Sequence, residues 1–166
     1  MNLRLLPILL CAFALPAAAG TVACPDLAKA SQIAACPSEE ELQYTYTGFC
    51  SDDGRPYKGD IGVCEDYRKY RALKNIALWE SADGNFNAYV SCDRTPASVK
   101  AATVKSVRVT KQGKVTAVVC NYGEGLNFTH RTRVECRADA AANCAADPAA
   151  CKASCAKRCR RCGSRG

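Results

Sequence analysis

Apolar and polar residues alternate with the period of β-strands in the middle of the chain, between residues 75 and 137. Residues 76–80 and 86–90 are two such runs, and Asp83-Gly84 lies between them. An Asp-Gly pair between alternating runs is a strong signal for a tight turn. The pattern therefore predicts a β-hairpin here.

Two further connections of the same kind follow. Residues 104–110 and 114–122 flank Gln112-Gly113, and a glycine-rich turn at 123–125 leads into a last run at 126–137. Strands joined in sequence by tight turns form an antiparallel meander, here of about five strands. Within the last run the even-numbered side is expected to be buried and the odd-numbered side exposed. The even side consists of Phe128, His130, Thr132, Val134 and Cys136.

Three short helices are predicted before these strands, at 26–34, 38–43 and 64–73, because proline or carboxylates stand in their first turns or apolar residues recur at helical spacing. Residues 44–49 are rich in Tyr and Thr and predict a strand instead. The expected class is α+β, with the helices backing one face of the sheet.

The two ends of the chain differ from this body. Residues 1–19 have Arg4, an apolar run and an alanine-rich end, which is the order of a cleaved secretory signal peptide. No later stretch is long and apolar enough to span a membrane. The predicted organisation is a signal peptide at 1–19, a disulfide-stabilised α+β body at 20–137 and a cysteine-rich basic tail at 138–166.

Cysteine is the most informative residue type. Of 13 cysteines, Cys11 lies in the predicted signal peptide, which leaves an even number for an oxidising compartment and predicts up to six disulfides. The remaining cysteines are Cys24, Cys36, Cys50, Cys64, Cys92, Cys120, Cys136, Cys144, Cys151, Cys155, Cys159 and Cys162.

The last five cysteines, at 144, 151, 155, 159 and 162, would cluster on one face of a helix, within about 80° of one another. This spacing predicts a helical tail. Because neighbours such as Cys151 and Cys155 on a helix do not approach closely enough for a relaxed disulfide, several tail cysteines are expected to bond to the N-terminal group. That group consists of Cys24, Cys36, Cys50 and Cys64.

The positive charge of the protein, +7 overall, is concentrated in the tail. Residues 20–136 carry 15 basic and 14 acidic residues, whereas residues 137–166 carry 7 and 2. A cationic surface formed by the tail would attract lipopolysaccharide, anionic lipid, nucleic acid or an acidic protein. The alternative is that the tail only keeps the protein in solution. The candidate residues for binding an anionic partner are Lys152, Lys157, Arg158, Arg160, Arg161 and Arg165.

Catalytic and metal chemistry have little support. His130 is the only histidine, so a small secreted hydrolase would have to use it with a carboxylate. Zinc is a rival to disulfides at Cys155, Cys159 and Cys162, but it lacks histidine partners. Asp52, Asp53 and Asp60 lack the alternating ligands of a calcium loop.

A groove of aromatic residues is a further alternative, and these residues also suffice to fill a core. They are Trp79, Tyr44, Tyr46, Tyr89 and Tyr122. The sequence thus predicts a secreted or periplasmic binding protein without cofactor, metal or catalysis. The alternatives are the hydrolase and a structural envelope protein without a specific ligand.

Overall fold

The structure is a computed structural model that describes residues 20–51, 61–139 and 144–156. The predicted signal peptide and Asp52, Asp53 and Asp60 lie outside these ranges. The strands are β1 (Gly20–Ala23), β2 (Ser31–Gln32), β3 (Ile76–Glu80), β4 (Asn87–Ser91), β5 (Ser106–Gln112), β6 (Val115–Asn121), β7 (Asn127–Thr132), β8 (Glu135–Ala138) and β9 (Lys152–Ala156). The α-helices are α1 (Glu39–Cys50), α2 (Ile61–Cys64), α3 (Tyr67–Lys74) and α4 (Pro96–Lys100), and short 3₁₀ helices occupy Leu27–Lys29 and Pro148–Ala150.

Six strands form one antiparallel sheet in the order β2-β3-β4-β7-β6-β5. The predicted hairpins β3–β4 and β5–β6 are present. After β4, however, the hydrogen bonding passes to β7, with Asn87 opposite Thr129, and this places β5 at the sheet edge. The simple meander was therefore wrong. Helix α4 between β4 and β5 carries the fully buried Val99, whose burial in the core diverts the chain away from β4.

The second sheet has three antiparallel strands in the order β1-β9-β8. The prediction of a helical tail was wrong, because β9 is a strand whose residues alternate between exposed and buried. Ala153 and Cys155 face the core, and Cys155 lies opposite both Gly20 of β1 and Cys136 of β8. The helical cysteine spacing is overridden because two neighbouring strands satisfy the backbone of this segment.

The first helices also differ from the prediction. The region 26–34 contains only the 3₁₀ helix and β2, while α1 continues to Cys50 through the residues predicted as a strand. Ser38 and Glu41 form a reciprocal capping box at its start, with hydrogen bonds of 3.1 and 2.8 Å. This cap and the burial of Leu42 favour helix over the strand propensity of the Tyr and Thr residues.

Helix α3 packs against α1 through aromatic rings. The buried Tyr70 lies 5.3 Å from the ring of Tyr46 and 5.5 Å from that of Phe49. The predicted helix at 64–73 is divided in the structure into α2 and α3, because Asp66 is extended and caps α3. The helices therefore form a small aromatic-packed layer.

The main core joins residues of both sheets with the first 3₁₀ helix and α4. The side chains of Phe86, Phe128, Leu27 and Val118 are completely or almost completely buried in it. On the last predicted strand the even-numbered side faces inwards, although a break after Thr132 divides that strand into β7 and β8. The protein is thus a mixed α and β fold with antiparallel sheets and several disulfides.

Candidate functional site

Five disulfides connect ten cysteines of the described residues. Their Cα–Cα distances lie between 4.0 and 5.9 Å. The bridges are Cys24–Cys120, Cys36–Cys92, Cys50–Cys64, Cys136–Cys155 and Cys144–Cys151. Cys159 and Cys162 lie outside the described residues. Cysteine richness and disulfide bonding are confirmed, and they fit an extracellular or otherwise oxidising compartment.

The predicted bridges from the tail to the N-terminal cysteines are wrong for the tail cysteines in the structure. Cys155 bonds to Cys136 on the neighbouring strand, and Cys144 bonds to Cys151 across a short loop. The argument against bridges within the tail assumed a helix, and it fails because the segment is a loop and a strand. It is the sheet residue Cys120 that bonds to Cys24.

The bridge Cys136–Cys155 also excludes the zinc site considered at Cys155, Cys159 and Cys162. A site of Cys155, Cys159 and Cys162 requires three thiolates, and Cys155 is in a disulfide. Within the described residues, no group of three or more His, Cys, Asp or Glu side chains is placed to hold a metal ion.

A basic edge is the main electrostatic feature of the sheets. Residues 105–137, which include β5 to β7 and most of β8, contain seven basic and two acidic residues. Both acids are paired: Glu135 accepts from Lys111 at 2.9 Å, and Glu124 accepts from Arg94 at 3.1 Å. Five exposed cations make no side-chain hydrogen bond or ion pair with another described residue. These five residues, which we call the basic edge, are Lys105, Arg108, Lys114, Arg133 and Arg137.

The basic edge was missed in the sequence because residues 20–136 are neutral as a whole. Residues 20–104 contain 9 basic and 12 acidic residues, and they cancel the excess that follows. A charge count in a window of about 30 residues, the length of two hairpins, would have located the basic edge.

A groove of about 410 Å³ lies where the two sheets approach each other. Lys111 and Glu135 line it together with Arg137 and Ser154. Ala156, the last residue of β9, lines it as well, and in the sequence it directly precedes the basic segment 157–166. The exposed Lys152 also lies on β9. The other predicted binding residues, Lys157, Arg158, Arg160, Arg161 and Arg165, lie outside the described residues.

Two acidic residues outside this basic region, Glu39 and Asp93, belong to a network of ion pairs and hydrogen bonds. Arg71 of α3 donates to Glu39 of α1 and to Asp93 after β4, both at 3.1 Å. Tyr67 also donates to Glu39. The hydrogen bonds from Tyr67 and Arg71 hold the pKa of Glu39 below its usual value. Burial, followed by the bond to Glu39, raises the pKa of Tyr67 to about 12. This network ties the helices to the large sheet.

His130 contacts a backbone carbonyl and an aromatic ring of the fold. Its Nδ1 atom is 2.9 Å from the backbone carbonyl oxygen of Asn85, and its ring packs on Phe86 at 5.5 Å. The hydrolase alternative requires a carboxylate partner, and the described residues place a carbonyl in that position.

The aromatic residues considered as an alternative binding groove do not come together among the described residues. Trp79 and Tyr122 are buried in the core, and Tyr46 packs between helices. The hydroxyl of Tyr122 donates to the carbonyl of Pro25, and burial raises its pKa far above the usual value. Tyr44 and Tyr89 are 80% and 73% exposed, but they lie on different elements, α1 and β4.

No protein family model, curated protein or solved structure matches this chain. Among the described residues, no helix combines the length and apolar character that crossing a membrane requires.

Proposed function

We propose that this protein is a secreted or periplasmic binding protein whose basic tail and basic edge together hold an anionic partner. A disulfide-stabilised body of two sheets presents these cations, and binding requires neither cofactor nor metal. The observation that carries the proposal is that Ala156, which directly precedes the basic segment in the sequence, lines a groove together with Lys111 and Arg137.

The charge arrangement supports one continuous cationic surface. The five residues of the basic edge lie on β5, β8 and the adjoining turns, and β8 pairs directly with β9. Segment 157–166 adds Lys157, Arg158, Arg160, Arg161 and Arg165 immediately after β9. The five residues of the basic edge have no acidic side-chain partner among the described residues, and such a concentration of positive charge favours a polyanion over a neutral ligand.

Phosphate is the chemical group that three of the candidate partners share. Lipopolysaccharide, anionic lipid and nucleic acid all present repeated phosphates, which arginine binds with two parallel hydrogen bonds. Because the cations of the basic edge are exposed, salt should weaken their attraction for an anion, and at 0.1 M the screening length is about 10 Å. Binding that weakens strongly with salt is therefore the expected signature.

The test replaces the tail arginines without touching the described fold. The triple variant Arg158→Gln, Arg160→Gln, Arg161→Gln should lose most of its binding to vesicles rich in phosphatidylglycerol and elute earlier from heparin. A variant of the basic edge, Lys105→Gln, Arg108→Gln, Lys114→Gln, should weaken the same binding.

A matched control removes three exposed cations from the other half of the chain, namely Lys29, Lys69 and Lys74. This control should bind as the parent does. Comparison of lipopolysaccharide, lipid vesicles, single-stranded nucleic acid and an acidic protein identifies the preferred partner. A parent protein that binds none of them at low ionic strength would refute the proposal and favour the structural envelope protein.

A further inference from the structure

Each of the two sheets ends in an edge strand at the groove between them. Within the described residues, β5 pairs only with β6, and β8 pairs only with β9. Three consecutive residues of β5, Val109 to Lys111, line the groove, and three consecutive residues of β8, Glu135 to Arg137, line its other side. Because successive side chains of a strand point to opposite faces, consecutive residues line the same groove only along the edge of a strand. The groove therefore runs along an edge of each sheet.

The hairpin register determines which backbone groups of β5 point away from the sheet. Gln112 and Val115 flank the two-residue turn between β5 and β6, and the pair that closes such a turn exchanges both backbone hydrogen bonds. Hydrogen-bonded pairs alternate along the ladder with pairs that are not bonded. Val107, Val109 and Lys111 belong to the second kind, so their N–H and C=O groups point outwards. No described residue outside the ladder forms a backbone hydrogen bond with these three residues.

The side chains of the groove provide positive charge and hydroxyl groups. Lys111 and Arg137 are exposed cations, and Glu135 is already paired with Lys111. Thr116 lies opposite Lys111 on β6 and is only 3% exposed, yet its hydroxyl group forms no hydrogen bond with another described residue. The exposed Ser154 adds a second hydroxyl group. A buried hydroxyl group without a partner is costly, which indicates that a ligand or an ordered water completes this site.

We propose that the groove binds an extended acidic segment of another protein, which adds a strand to the outer edge of β5. The segment pairs with the outward backbone groups of Val107, Val109 and Lys111. Main-chain hydrogen bonds supply the affinity in this binding mode, and side-chain contacts supply the specificity. Carboxylates of the segment bind Lys111 and Arg137, and one of them competes with Glu135 for Lys111. The inference rests on the proposed function, because it names the anionic partner of the same cationic surface.

Charge distinguishes this occupant from a second copy of the chain. β5 carries Arg108 and Lys111 and no acidic residue, and the adjoining turns add Lys105 and Lys114. Pairing of two β5 edges would place these like charges side by side, which opposes association. Lysine on an edge strand is a common protection against such self-pairing. An acidic strand removes the repulsion and is attracted by the same cations.

The first experiment measures amide hydrogen exchange by NMR in the full processed chain, with an end-blocked eight-residue peptide of alternating Glu and Val as the probe. Without peptide, the amides of Val107, Val109 and Lys111 should exchange faster than those of Arg108 and Thr110, which are bonded to β6. Saturating peptide should protect the three outward amides. Unchanged exchange of these amides would overturn the proposal, and so would their protection in a peptide-free dimer.

The second experiment separates strand pairing from charge attraction alone. N-methylation of alternate peptide amides gives two versions of the probe, one for each edge of the bound strand. One version should bind at least about ten-fold more weakly than the other, because it loses about two hydrogen bonds to β5. A peptide with Lys in place of Glu should not bind. Equal affinities of the two methylated versions, or binding of the Lys peptide as tight as that of the Glu peptide, would overturn the proposal.

Protein variants test the two walls of the groove. Lys111→Gln with Arg137→Gln should weaken binding of the acidic peptide, whereas Lys29→Gln with Lys69→Gln removes the same charge elsewhere and should leave it unchanged. Glu135→Gln should strengthen binding, because it removes the competing carboxylate. Equal weakening by both charge pairs would overturn the proposal. A protein that binds anionic vesicles without peptide-dependent amide protection refutes only the strand addition, whereas absence of all anion binding refutes the proposed function as well.

Discussion

Removal of the Cys24–Cys120 disulfide should cost more stability than removal of any short-range bridge. The perturbation is the double variant Cys24→Ala, Cys120→Ala, compared with Cys50→Ala, Cys64→Ala as the control. The two bridges separate their cysteines by 96 and 14 positions. A longer closed loop restricts the unfolded chain more, so its removal releases more entropy.

The arrangement of the bridges changes the magnitude. The loop of Cys24–Cys120 encloses the bridge Cys36–Cys92, which shortens the flexible path to about 40 residues, so the chain-entropy model gives about 4 kcal/mol. The same model gives about 3 kcal/mol for the control bridge. Without Cys36–Cys92, the path of Cys24–Cys120 lengthens to about 82 residues, because Cys50–Cys64 still shortens it, and the contribution rises to about 4.5 kcal/mol.

The assay is equilibrium unfolding in guanidinium chloride followed by circular dichroism, with free thiols blocked. Cys120 is fully buried, so its truncation to Ala adds a packing loss to the entropy of the loop. The Cys24–Cys120 variant should therefore lose at least about 1 kcal/mol more than the control. An equal or smaller loss in a variant with an unchanged native spectrum would refute the reasoning from nested loops.

Two further predictions concern the core and the helix network. Phe128 is fully buried and packs on Tyr122, so Phe128→Ala should lower the free energy of unfolding by about 3–5 kcal/mol. Tyr89→Ala on the exposed side should change it by less than about 0.5 kcal/mol. Thermal unfolding of both variants measures the two losses, and similar losses would contradict this prediction. The pKa of Glu39 is lower in the folded state than in the unfolded state, so its contribution is present above the unfolded value near 4.5 and is lost as the pH falls through the folded value. Acid titration followed by circular dichroism should accordingly show a smaller stability loss between pH 5 and 2 for Glu39→Gln than for the parent, and an identical loss would contradict the network.

The local turns could be predicted from the sequence because their signals are local. Asp83-Gly84 and Gln112-Gly113 both lie in hairpins, and Gly84 and Gly113 have the positive φ angles of 69° and 58° that such turns require. The helix predicted at 38–43 is present as the first part of α1, but the strand propensity of the Tyr and Thr residues after it predicted an end that is too early. A cap fixes the start of a helix, whereas propensity is a weak preference that packing overrides.

The tail and the strand order required information that no local window contains. Residues 151–155 alternate between buried and exposed, but with only Cys, Lys, Ala and Ser present the alternation has little hydrophobic contrast. Pairing of β9 with β1 joins residues more than 100 positions apart. The basic edge likewise depends on the sheet for its assembly, although its charge excess is visible in the sequence.

The pairing of β1 with β9 has a consequence for how the protein reaches its final form. Gly20 lies opposite Cys155, so the first and last described strands are neighbours. A chain that is synthesised or exported from its N-terminus holds β1 without a hydrogen-bonding partner until almost all of the protein has emerged. The small sheet can therefore complete its pairing only after β9 has emerged, when every strand of the large sheet is already present.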